Sequence, residues 1–177
     1  MDRRSGIKTL LIISAGATLL PSCLQEKKKS SLSFKHIKID DKDGALLSEF
    51  SETIIPKTAT PGAKDISAHL FALMMIDDCF SPADQDKFQK GIKEFDDIPK
   101  NKYDKPFTKC TPSERSELLK PFETKNGATE NAAFFYNTMK RMTIQAFTTS
   151  EYYLTKVQVY KLVPGKFYGC VPEKKAS

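Results

Sequence analysis

SPADQDKFQKGIKEFD, residues 81–96, is the stretch on which the fold turns. Ser81 can cap a helix, and Pro82 suits a first turn, where the missing amide has no helical partner. Asp84 places an acid at the third position. Phe88, Ile92 and Phe95 then fall on one face at helical spacing. The device repeats at Thr111-Pro112-Ser113-Glu114, followed by Leu118, Leu119 and Phe122. Two capped, one-sided apolar segments set a helical frame for the rest.

Upstream, Ala45-Leu46-Leu47, Phe50 and Ile54 recur at helix spacing, Pro56 stops the run, and Asp40, Asp41 or Asp43 can cap its start. PKTATPGAKD, with two prolines and a glycine, reads as a loop. A second helix is predicted from about Gly62 to Phe80, with Ile66, Leu70, Leu73 and Met74 as its stripe. Asp77 lies about 20° from Leu70 on the helical wheel, hence on the apolar side. A carboxylate there must be hydrogen-bonded inside the fold or face a polar partner, which makes Asp77 an interface candidate.

Downstream, Asn126-Gly127 marks a turn, and a fifth helix begins near Thr129 with Phe135, Met139, Met142 and Ala146 in a stripe. From Thr148 the period changes. Val157 and Val159 alternate with Lys156 and Gln158, and Pro164-Gly165 makes a turn, so this end is expected to be extended or a short β-hairpin. The predicted class is mainly α: about five helices in one compact domain with a short extended or β-hairpin C-terminal segment.

The chain has 177 residues, 40% of them hydrophobic, with no Trp and 12 Phe, so a core can form and Phe is expected to fill it. The net charge is +6. Much of it sits in Lys27-Lys28-Lys29 and Lys174-Lys175. No basic face with aromatic platforms is visible, which argues against a nucleic-acid partner.

Residues 2–23, DRRSGIKTLLIISAGATLLPSC, read as an export leader. The uncharged run Thr9–Leu20 is too short to span a bilayer as a helix, which takes about 20 residues. Leu20-Pro21-Ser22-Cys23 resembles a bacterial lipobox, with Cys23 as the lipidated residue and Pro21 unusual at its position. Arg3 and Arg4, with Ile7 and Lys8, resemble a twin-arginine signal. Gly6 stands where that signal has a bulky apolar residue, and two arginines that merely orient insertion read equally well. The domains expected are a signal peptide over 1–22, a lipid-anchored flexible tether over 23–39 and the helical domain over 40–177. Such a chain would lie on the periplasmic side of a bacterial membrane.

Catalytic signatures are sparse. His36 falls in the tether and His69 on the flank of the second helix, both read as surface histidines without a joint metal spacing. No glycine-rich nucleotide loop, Cys-x-x-Cys-His or Gly-x-Ser-x-Gly occurs. The paired acids Asp96-Asp97 read as solvating a helix end. Besides Cys23 there are Cys79, Cys110 and Cys170; in an oxidising compartment two would pair, and three pairings are open.

SETIIPKTATPGAKD, DDCFSPADQDKFQKGIKEFD, TPSERSELL, FTTSEYY and VPGKFYGCVP together, in this order, resemble the gluconate 2-dehydrogenase subunit 3 family from about Leu46 to Pro172. The resemblance implies a small, non-catalytic subunit with no metal and no cofactor of its own. Its partner would be a large flavoprotein dehydrogenase of the glucose-methanol-choline type holding FAD. A cytochrome c subunit with haem c would complete the complex. The resemblance also singles out Cys79 and Cys170 as the disulfide candidates, joined to each other or to the large subunit. Tyr152 and Tyr153, standing where relatives have a glycine-containing turn, are interface candidates beside Asp77. The alternative is a stand-alone envelope lipoprotein serving as a binding or structural module.

Overall fold

The computed structural model describes residues 34–123 and 129–158, with Gly165 and Cys170. Among the described residues there are five α-helices: α1 (Asp41–Ile54), α2 (Ala68–Cys79), α3 (Pro82–Tyr103), α4 (Pro112–Glu123) and α5 (Glu130–Thr148). A short 3-10 turn (Phe107–Lys109) lies between α3 and α4, and a π-helical turn (Tyr153–Val157) follows α5. The mainly α class is as read. No strand occurs among the described residues.

The helix starts obey the capping chemistry. Asp40 Oδ1 accepts from the Asp43 amide at 2.7 Å, so Asp40 is the cap among the three acids considered. Ser81 Oγ accepts from the Asp84 amide at 3.2 Å. Thr111 and Glu114 form a reciprocal box: the Glu114 amide donates to Thr111 Oγ1 at 3.4 Å, and the Thr111 amide to Glu114 Oε2 at 2.7 Å. At α5, Thr129 Oγ1 accepts from the Ala132 amide, while its hydroxyl and the Asn131 side chain both donate to Glu94 of α3.

Phenylalanine does fill the core. Phe50 of α1 is fully buried, with ring centroids 5.4 Å from Phe95, 5.3 Å from Phe135 and 5.9 Å from Tyr136. Phe107 and Phe122 extend the cluster through Phe95 at 5.2 and 5.8 Å. These edge-to-face and tilted contacts suit the ring quadrupoles. α3 and α5 meet at Gly91, where a Cβ would stand 2.4 Å from the Asn131 carbonyl oxygen and 2.7 Å from Phe135 Cβ. No larger residue permits that approach. A buried polar pair ties α1 to α5, Thr143 Oγ1 lying 3.2 Å from Ser51 Oγ.

Four expectations are corrected. α3 does not end at Asp96-Asp97 but continues through buried Pro99 to Tyr103. Proline deletes one helical amide, and its ring is buried here while Lys100 pairs with Asp96 at 2.6 Å and Asp97 at 3.2 Å. The second helix begins at Ala68 rather than Gly62, because residues 55–67 are folded into a loop by Glu52 and Asp65. The chain from Thr148 does not run extended: Glu151–Val157 coils helically and Val157 is exposed. The remainder of the expected hairpin lies outside the described residues, apart from Gly165 with φ of 71°.

The fourth concerns the tether. Its last residues, 34–39, lie on the domain. The Lys35 amide donates to Asp77 Oδ2 at 2.8 Å, and the His36 and Ile37 amides donate to Asp77 Oδ1 at 2.7 and 3.0 Å. Ile37 is buried, and Phe34 and Ile39 pack against the core. The domain therefore begins by residue 34, since three apolar side chains and one carboxylate offset the entropy of ordering the segment.

Candidate functional site

Residues 55–67 form a loop closed by the Ala63 amide, which donates to the Ile55 carbonyl at 2.9 Å, and braced by a side-chain scaffold. Glu52, near the end of α1, reaches up to accept from the Lys57 amide through Oε1 and the Lys64 amide through Oε2, both at 2.9 Å. Asp65 accepts from the Gly62 amide at 2.9 Å and pairs with Lys57 Nζ at 3.0 Å. Gly62 fits against this carboxylate so closely that a Cβ would lie 2.7 Å from both Glu52 oxygens. The loop presents exposed residues 56–60 to solvent. Its base rests on α5, where Ala63, Ala68 and Ala146 form a second apolar cluster with Ile55, Ile66 and Phe71.

Beside this cluster the surface opens into a groove of about 710 Å³. Ile66, Phe71 and Ala146 supply its apolar part; Thr149, Glu151, Tyr152, Thr155 and Lys156 supply its polar part. Two stretches 80 or more residues apart in sequence, the loop after α1 and the turn after α5, thus share one site. The π-helical turn shapes it. Thr149 and Ser150 end α5 by hydroxyl bonds to carbonyls of Gln145 and Phe147, and the Tyr153 amide then donates to Ser150 Oγ. This turns the chain so that Tyr152 and Tyr153 pack on Phe147, with centroids at 6.4 and 6.0 Å.

The neighbouring charges lock the loop. Glu49 of α1 pairs with Lys64 and with Arg115 of α4. Burial alone would raise the Glu49 pKa, but those two cations outweigh it and hold it below the ordinary value. Arg115 also donates to the Phe107 and Thr108 carbonyls at 3.2 and 2.8 Å. His69 is not a surface residue as expected. It is half-buried, its Nδ1 is shielded without a hydrogen-bond partner, and burial, with Lys64 second, lowers its pKa.

Of the interface candidates, Tyr152 lines the groove and Tyr153 supports it from Phe147. Asp77 does neither. It is 5% exposed, and its carboxylate is spent on the three amides of residues 35–37. Burial pushes its pKa up, the three amides push it down further, and it rests below the ordinary value. Its placement on the apolar side of α2 was legible; its partner, some 40 residues upstream, was not. Ile66 reads in the sequence only as part of a helical stripe, and nothing in the sequence joins it to Phe71, Thr149 and Thr155, because their common property is proximity.

Cys79 and Cys170 are exposed thiols and Cys110 is a buried one. Cys23, Arg3 and Arg4 lie outside the described residues. Among the described residues no helix is long and apolar enough to cross a membrane, and no group of three His, Cys, Asp or Glu side chains is placed to hold a metal ion.

No curated protein and no solved structure matches the chain. The family model described as "Gluconate 2-dehydrogenase subunit 3" matches residues 41–165, a span that runs from the first residue of α1 past the groove. With the greater part of its length matched, the chain belongs to the gluconate 2-dehydrogenase subunit 3 family.

Proposed function

We propose that the chain is the small, non-catalytic subunit of a flavin-dependent sugar or polyol dehydrogenase complex of the gluconate type. In this reading FAD and the oxidation chemistry belong to a large glucose-methanol-choline-type subunit, and a cytochrome c subunit with haem c passes electrons onward. The small subunit assists export, maturation and membrane attachment of the large one. Arg3 and Arg4 direct translocation, and Cys23 carries a lipid on the periplasmic side of a bacterial membrane. Cys79 and Cys170 remain the candidates for a disulfide, within the chain or to the large subunit.

The observation that carries the reading is the family match over residues 41–165. The groove supports it, because an apolar centre with an aromatic and a polar rim is how protein interfaces are built. The large subunit is assigned to this groove. Affinity purification from native membranes in mild detergent is expected to recover a flavoprotein with flavin absorbance; recovery of this chain alone would overturn the reading. Tyr152→Ala with Thr155→Arg, two changes at the groove surface, is expected to cut that recovery at least ~10-fold with helical content unchanged. Unaltered recovery would move the interface elsewhere on the domain.

A further inference from the structure

We propose that residues 34–39 are a strap that opens and closes as a unit on a folded helical core, with the Asp77 carboxylate as its latch. Three observations carry this. First, the hydrogen bonds that hold the strap come from side chains: Asp77 takes the amides of residues 35, 36 and 37, and Gln89 Oε1 takes the Lys38 amide at 3.0 Å. No backbone-to-backbone hydrogen bond ties 34–39 to the core among the described residues. Second, the latch is itself fixed. Buried Gln85 donates from Nε2 to the Ile76 and Asp77 carbonyls at 3.1 and 3.0 Å, so the end of α2 is capped from α3. Third, opening would cost the core only three side chains, Phe34, Ile37 and Ile39, and the ring contacts around Phe50 that hold the helices together are made by Phe95, Phe107, Phe135 and Tyr136, none of them in the strap.

Asp77 lies on α2 and Gln89 on α3, so the strap can close only when these helices are packed together. Closure therefore depends on the folding of the core. It also sets how much of the segment before Asp40, the cap of α1, is held on the core: residues 34–39 when closed, none of them when open. Six residues of extended chain change the reach of whatever precedes them by about 20 Å.

Native-state hydrogen exchange on the purified chain without lipid tests the strap separately from the proposed function. The amides of Lys35, His36, Ile37 and Lys38 are expected to exchange together, at least ~10-fold faster than those of Phe135–Met142, through an opening with little denaturant dependence. Exchange of all of them only with the α5 amides, by global unfolding, would overturn the strap. In the second arm, Asp77→Asn removes the charge and, with its carbonyl oxygen left to the His36 and Ile37 amides, sets an amide donor against the Lys35 amide. Tryptic cleavage after Lys35 and Lys38 is expected to accelerate about 10-fold while α5 stays protected. Unchanged cleavage, or cleavage that rises only as α5 protection is lost, would remove Asp77 as the latch. Should that variant not fold, the wild-type exchange still decides.

Discussion

Phe50 and Glu52 stand two residues apart on α1 and hold different things. Phe50 points inward and is surrounded by rings from α3 and α5. Glu52 points along the surface and holds a loop by two backbone amides. The first region is stabilised by area and shape, spread over many residues. The second rests on a few polar bonds, with the Glu52 carboxylate taking two of them and one glycine fitted against it. Buried rings tolerate no loss of volume but share their load, whereas the loop concentrates it. The strap at 34–39 is built like the loop, with Asp77 in the place of Glu52.

The comparison can be broken by removing each centre. Phe50→Ala is expected to cost about 4 kcal/mol, from lost burial and the cavity left among four rings. Urea unfolding followed by circular dichroism would read it, and a loss below about 1 kcal/mol would mean the core collapses around the gap. Glu52→Ala is expected to cost about 2 kcal/mol, through two backbone amides stripped of a charged acceptor. Its signature is local: the Lys57 and Lys64 amides should exchange freely while α5 remains protected. Equal loss of protection in both places would show that loop and core are one cooperative unit.

Two pH responses sharpen the contrast further. The folded state holds His69 neutral, with its pKa below the ordinary 6.5 because of burial and then Lys64. A group with a lowered histidine pKa favours folding fully above 6.5, and that benefit declines as pH falls through 6.5 towards the folded value. The Tm should therefore drop between pH 7.5 and 5.5, and by less in His69→Leu; parallel drops would exclude His69 as the source. The smallest effect is expected from Glu114. Lys105 and the Thr111 amide and hydroxyl lower its pKa to about 2, from 4.5. Its contribution is complete above about 4.5 and is lost as pH falls through about 2. Acid titration of α4 should show the loss in wild type and lack it in Glu114→Gln.

Four helices were legible because their starts are local chemistry. Asp40, Ser81, Thr111 and Thr129 each cap within three residues, and the Phe and Leu stripes sit on single helix faces. α2 was placed six residues early because the stripe from Ile66 continues smoothly into the helix. Only Glu52, Asp65 and the left-handed Ser67, at φ 54°, show that the chain is still turning there. The end of α3 is not legible because the paired acids Asp96-Asp97 read locally as a helix end. Lys100 and the burial of Pro99 carry the helix past them. Of the residues lining the groove, Tyr152 stands among the sequence's interface candidates; that it shares a groove with Ile66 and Phe71 is visible only in the folded chain.

By itself the sequence determined the helical class, the phenylalanine core and the family, since caps, periodicity and ordered motifs are readable within short windows. The tertiary structure alone decided that the Asp77 carboxylate takes the amides of residues 35–37. It alone decided that the loop after α1 and the turn after α5 make one groove, and that His69 is shielded. Each of these depends on groups brought together by packing. A carboxylate on an apolar face announces that it has a partner, and only the folded chain says which amides reach it.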